Sequence, residues 1–160
     1  MNTEPTTNIR RWMKHIKRVP VGCLSGYELR DWQKNLMNFI KETPDDRTIL
    51  WIYDETGNAG KTKISKHIIQ LNENAIVLGG KASDMFYGIA SKVEKGCTPS
   101  IVILDIPRSY EGFVSYGGIE KIKDGLFFNS KYESSMCVYD CPHVVVMANF
   151  LPDRDWETNP

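Results

Sequence analysis

Hydrophobic positions along this chain fall into two rhythms, and their order predicts strands alternating with helices. An apolar, β-branched run from Ile49 to Tyr53 stops at Asp54 and passes through a glycine-bearing turn. A helical pattern restarts at Lys61 and Thr62, with Ile64, Ile68 and Leu71 on one face. Upstream, Ser25-x-x-Glu28 has the form of a capping box. It predicts a helix through Thr43 whose core-facing side carries Leu29, Trp32, Leu36, Phe39 and Ile40, ended by Pro44-Asp45-Asp46-Arg47. Downstream, Ala75 to Leu78 reads as a second strand closed by Gly79-Gly80. Ser83 or Asp84 caps a helix carrying Phe86, Ile89, Ala90 and Val93 that stops at Gly96. Ser100 to Asp105 and His143 to Ala148 are continuous apolar runs, the form of strands buried on both faces. Between them come a short helix, Gly118 to Asp124, and a hairpin with arms Leu126 to Phe128 and Met136 to Tyr139 and Lys131 near its tip. The alternation predicts a three-layer α/β sandwich around a mostly parallel sheet.

The junction from Thr48 to Thr62 carries the clearest chemistry. Strand, loop and helix in that order gather backbone N–H groups at a helix N-terminus, where they and the helix dipole favour phosphate oxygens. Gly57 and Gly60 permit close approach, Lys61 can reach the β- and γ-phosphates, and the Thr62 hydroxyl can ligate Mg²⁺. The stretch reads as a nucleotide-triphosphate loop, with one departure: Glu55 stands where G-x-x-x-x-G-K-[ST] has its first glycine. The plainer alternative is a surface turn that contains Gly-Lys-Thr. Asp105 ends a buried strand, and ligands of parallel α/β sheets sit beyond such ends; its alternative is a carboxylate capping the next turn.

Composition narrows the partners. The chain has 160 residues, 41% of them hydrophobic, which suits one buried core. Twenty basic residues balance 20 acidic ones, so any nucleic-acid binding must come from local clusters. One such cluster is Arg10, Arg11, Lys14, Lys17 and Arg18, interleaved with Trp12, Met13 and Ile16, which reads either as a solvated amphipathic helix or as a basic arm on a phosphate backbone or a neighbouring subunit. Four scattered cysteines suit a reducing compartment. Cys137-x-x-x-Cys141 with His143 could be drawn as a metal corner, but it has no second ligand pair; two apolar-facing cysteines beside a buried strand fit better. The runs IVIL and VVVM are too short to span a bilayer and no signal-peptide core is present, so a soluble, intracellular protein with no membrane partner is expected.

Taken together, the motifs resemble the superfamily 3 helicase domain of replication-associated (Rep) proteins of circular single-stranded DNA viruses and their satellites. The Walker A resemblance is to D-x-x-G-N-x-G-K-T, here Asp54, Gly57, Asn58, Gly60, Lys61 and Thr62, a form that tolerates the missing first glycine. Walker B resembles an apolar run with Asp105-Ile106-Pro107-Arg108, and motif C resembles the strand from Val144 to Asn149. IKDGLFFNSKYES is similar to the family's DNA-tracking hairpin, and the resemblance runs from about Leu29 to Asn149.

The resemblance implies a P-loop NTPase of modified AAA+ type, ATP and Mg²⁺ as cofactors, and a ring of subunits, hexameric in count. It also implies 3′-to-5′ unwinding of DNA in the host nucleus. Residues 57 to 62, with Ala59 among them, would hold the phosphates; Thr62 and Asp105 would hold Mg²⁺, and Asn149 would orient the attacking water. Lys131 would lie on the backbone of single-stranded DNA, and Arg154 would be the arginine finger, with Arg108 the other candidate. Residues 1–24 would form a basic arm or oligomerisation segment and 25–160 the ATPase domain. The family's nicking domain is not matched, so this chain alone is not expected to cut DNA. Ile106 follows Asp105 where many Walker B segments carry a second acid, which leaves the general base open. Three other readings stand beside this one. They are a catalytically weak Rep remnant, an RNA helicase of the same superfamily, and a small-molecule P-loop kinase, whose arginine-rich lid is not matched by Lys121, Lys123 and Lys131.

Overall fold

A computed structural model describes residues 21–132 and 134–157. The basic cluster from Arg10 to Arg18 lies outside the described residues. In chain order the elements are α1 (Asp31–Phe39), β1 (Ile49–Tyr53), α2 (Lys61–Leu71), β2 (Ala75–Leu78), α3 (Ala82–Glu94) and β3 (Ile101–Ile106). A 3₁₀ turn, Arg108–Tyr110, leads to α4 (Tyr116–Asp124), β4 (Leu126–Asn129), β5 (Ser135–Val138), β6 (His143–Ala148) and α5 (Arg154–Glu157).

Four strands form a parallel sheet in the order β1-β6-β3-β2. The register runs Ile49 to Tyr53 against Val144 to Ala148, and Ile101 to Ile106 against His143 to Ala148. β6 is buried at every position, which is why its sequence is an unbroken apolar run without alternation. Helices cover both faces. On one, Leu36 of α1 and Ile64 and Ile68 of α2 pack with Ile103, Val145 and Met147. On the other, Met85 and Ile89 of α3 and Ile119 and Ile122 of α4 meet Val102, Leu104, Val144 and Val146. Each of these side chains, fully buried, contributes about 1.5–3 kcal/mol. β4 and β5 pair antiparallel as a separate hairpin, fixed to α3 by Phe127 stacked on Phe86 at 4.5 Å. The expected three-layer α/β architecture is thus present, and no described helix is long and apolar enough to cross a membrane.

Local boundaries depart from expectation where caps are concerned. The first helix is shorter than Ser25–Thr43, because residues 22–27 fold into turns (Ser25 N–H to Gly22 O, Tyr27 N–H to Leu24 O) with Gly26 left-handed at φ 83°. Those turns are tied to α2 by the Cys23 N–H on Gln70 Oε1 and the Leu24 N–H on His67 Nδ1. The helix therefore opens at Arg30, whose N–H donates to Gln33 Oε1 at 3.0 Å. The third helix is capped by extended Lys81, not by Ser83 or Asp84, both of which lie in its first turn. The helix before the hairpin starts at Tyr116, two residues early, because Ser115 Oγ accepts the Gly118 N–H. Cys137 is buried beside Phe127 and Tyr139, while Cys141 is half-buried.

Candidate functional site

The loop from β1 to α2 begins with a local lock. Asp54 Oδ1 accepts from the Thr56 N–H at 3.3 Å and from its hydroxyl at 3.1 Å, and the Asp54 N–H donates to Ala148 O of β6 at 3.3 Å. Beyond it, Gly57 (φ 76°), Asn58 (61°) and Gly60 (88°) are left-handed, a conformation open to glycine and tolerated by asparagine. Gly60 is also confined by space, since a Cβ there would lie 3.0 Å from Gln33 Nε2 of α1. Gln33 is buried, and its amide donates to Gly60 O at 3.4 Å, so α1 closes against the loop. The helix then starts at Lys61, with the Ile64 N–H returning to Gly60 O and Ser65 Oγ donating to Lys61 O.

Lys61 is the hub. Its Nζ donates to Asn149 Oδ1 at 2.7 Å and stands 3.6 Å from Asp54 Oδ2, with the lysine side chain only 13% exposed. Asp54 Oδ2 is buried and accepts no hydrogen bond, which leaves an orphaned anionic oxygen facing the ammonium. Burial pushes the Asp54 pKa up, but the Thr56 hydroxyl and amide and the Lys61 charge outweigh it and hold the carboxyl below its ordinary value. Arg108, just past β3, donates from Nη2 to Glu55 O at 2.7 Å and to Asn149 O at 3.4 Å. One guanidinium thereby ties the start of the loop to the end of β6.

Asp105 sits opposite Met147 in register, in alternation with Ile101 and Ile103, and so lies on the α2 face of the sheet at the carboxyl end of β3. It is exposed, as is Thr62 in the first turn of α2. Both supply hard oxygen donors of the kind a magnesium ion takes. The structure thus brings Lys61, Asn149 and Asp54 into contact and sets Asp105 on the same face.

The two outlying candidates lie elsewhere. Lys131 is in the hairpin turn, its Nζ 2.7 Å from Asp84 Oδ1 of α3. Arg154 opens the short α5, whose Trp156 packs on Trp51 and Tyr116 on the sheet face opposite α2.

Comparison with known proteins bears on this arrangement. The chain is 35% identical over 158 residues to "Para-Rep C7" of Faba bean necrotic yellows C7 alphasatellite, covering 96% of this chain and 54% of that protein. The chain is a relative of Rep proteins. It is 40% identical over 130 residues to "Para-Rep C10" of Milk vetch dwarf C10 alphasatellite (79% of this chain, 44% of the relative). It is also 33% identical over 132 residues to the "Master replication protein" of Faba bean necrotic yellows virus (81% and 43%). No family model matches. The chain spans about half the length of the curated Rep relatives it matches. A match over 96% of the chain takes in the whole span from Asp54 to Asn149. Sequence reasoning missed the Asp54–Lys61 ion pair and the contact of Gln33 with Gly60. An acid at the end of β1, one turn before a lysine at a helix start, is the signal that was there for the first; nothing local signalled the second.

Proposed function

We propose that this chain is an ATP- and Mg²⁺-dependent ATPase module of a viral or satellite replication protein, coupling hydrolysis to the unwinding of DNA. The observation that carries the reading is the Lys61 ammonium, at the head of α2 behind a loop of left-handed residues, held on Asn149 at the end of the neighbouring strand. In this reading the backbone from Gly57 through Asn58 and Ala59 to Gly60 cradles the phosphates. Lys61 neutralises γ-phosphate charge, and Asn149, released from the lysine, orients the attacking water. Thr62 and Asp105 hold Mg²⁺, which supplies charge neutralisation between the phosphates. A P-loop core of AAA+ type spans residues 25–160, and residues 1–24 form the arm. A ring of subunits, six in the family's manner, would complete the site with an arginine in trans. Arg154, exposed at the start of α5, and Arg108, which donates to Glu55 O, are the two candidates for that role. Similarity to Rep proteins supports a replication role and favours DNA over RNA as the strand.

One observation favours a second reading, a Rep remnant that binds nucleotide without turning it over. Asp105 is followed by buried Ile106, so no adjacent carboxylate is offered to the attacking water. ATP hydrolysis measured with and without single-stranded DNA separates the two. The motor reading expects DNA-stimulated turnover that Lys61→Ala abolishes; equal hydrolysis by both proteins would end it, and tight binding with no turnover would favour the remnant.

A further inference from the structure

The two carboxylate oxygens of Asp54 do different things, and only one of them explains why the residue is an acid. Oδ1 closes the local turn by accepting the Thr56 N–H at 3.3 Å and the Thr56 hydroxyl at 3.1 Å. Asparagine or serine closes a turn of this kind as well, with no charge. Oδ2 is buried, accepts no hydrogen bond and lies 3.6 Å from Lys61 Nζ. A buried anionic oxygen without a hydrogen bond destabilises the chain unless a cation offsets it, and here that cation is Lys61. Burial raises the Asp54 pKa, but the Thr56 bonds and the Lys61 charge together hold it below the ordinary value, so the group is ionised at neutral pH.

The pair is built unevenly. Asp54 is pinned, because its N–H donates to Ala148 O at 3.3 Å and Oδ1 is held twice by Thr56, which keeps the carboxylate from rotating away. Lys61 carries its ammonium on a long flexible stem, and the hydrogen bond it donates goes to Asn149 Oδ1. An anion that enters the loop therefore draws the lysine toward itself while the carboxylate stays. Arg108, another cation at this end of the sheet, is directed at the carbonyls of Glu55 and Asn149 and not at Asp54.

We infer that Asp54 is a built-in competitor for Lys61, a fixed carboxylate that holds the ammonium until a phosphate takes it and then opposes that phosphate. The inference rests on the proposed function for the identity of the anion, a nucleoside triphosphate. Like charges repel strongly at the low effective permittivity of a largely buried site. The repulsion weakens when the ligand brings a cation of its own. Asp54 thereby makes the site favour metal-complexed triphosphate over the metal-free form.

The test titrates a fluorescent ATP analogue into the full chain by anisotropy, once with Mg²⁺ and once with EDTA. Asp54→Asn keeps an oxygen for Thr56 and removes the charge. It should bind the metal-free analogue about 5- to 50-fold more tightly than wild type, and the Mg²⁺ complex more tightly by a smaller factor. In the Lys61→Ala background the gain should shrink, since no ammonium is left to release. Asp54→Ser, which can close the same turn, repeats the measurement if Asp54→Asn melts below wild type. Equal or weaker binding by the neutral variants would overturn the competitor and leave the nucleotide site standing. A gain as large with Mg²⁺ as without it, or undiminished in Lys61→Ala, would overturn the charge competition. If wild type binds neither form and Asp54→Asn binds both, the competitor is upheld and the ATPase reading of this chain falls. Binding by neither protein overturns the two together.

Discussion

Replacing Lys61 by alanine isolates the charge on which the proposed nucleotide site turns. The ammonium donates to Asn149 Oδ1 at 2.7 Å and faces Asp54 Oδ2 at 3.6 Å. A hydrogen bond involving an ionised group contributes about 1.5–3 kcal/mol. A triphosphate oxygen that displaces these partners acquires an interaction of that class, so Lys61→Ala should weaken nucleotide binding about 10- to 150-fold. The fold should survive, because α2 is held to the sheet by Ile64 and Ile68, both fully buried, and not by its first side chain. The assay is titration of a fluorescent Mg·ATP analogue by anisotropy, with thermal melting of both proteins as the control. If the variant melts as wild type and binds the analogue equally well, Lys61 does not face a phosphate and the site has been misread.

Other perturbations test neighbouring parts. Arg108→Gln removes the donor shared by Glu55 O and Asn149 O and should loosen the loop, weakening analogue binding about 2- to 10-fold by the same titration, less than Lys61→Ala does. Lys123 is 3% exposed, donates to Pro142 O at 2.8 Å and lies 3.8 Å from Asp45; Lys123→Ala should cost about 2–4 kcal/mol in urea unfolding by stranding that carbonyl and emptying the space of the stem. Asp45 is held at a pKa of about 2 by the Thr48 hydroxyl and by the Thr48 and Arg47 amides, against an ordinary 3.8. A carboxylate with a depressed folded pKa adds stability above the unfolded value and loses it as pH falls toward the folded one. The melting temperature of wild type should therefore drop toward that of Asp45→Asn between about pH 4 and pH 2, and parallel curves across that window would contradict the assignment.

What the sequence made legible follows the physics of each signal. β1, β2 and β6 were bounded correctly because each is an apolar run, fully buried in β6 and half-buried at the sheet edges in β1 and β2, that a flanking residue breaks: Asp54, Gly79 and Asn149. The glycine-bearing turn and the helix start at Lys61 were legible because left-handed backbone and a helix start both constrain residue type. Caps were less so. Ser25 and Glu28 had the spacing of a capping box, yet turn hydrogen bonds around Gly26 and contacts to Gln70 and His67 on α2 overrode it. Long-range pairings left almost no local trace. Nothing near Lys131 announces Asp84, 47 positions away, and nothing near Arg108 announces the carbonyl of Glu55.

Strand order is the step that turns these separate signals into a site. With β6 between β1 and β3, Asn149 emerges beside both the loop that follows β1 and the end of β3 that carries Asp105. The register is held there by more than the ladder. The Asp54 N–H reaches Ala148 O, Trp51 Nε1 donates to Phe150 O at 2.8 Å, and Arg108 spans Glu55 and Asn149. A slip of one residue in β6 would turn its side chains to the opposite face and bring Phe150 where Asn149 meets Lys61. These bonds flank the point where such a slip would do damage. Lys61 is thus held on Asn149 beside Asp54 within a frame kept in register by backbone contacts, and in the proposed reading a triphosphate takes over the lysine while that frame stays in place.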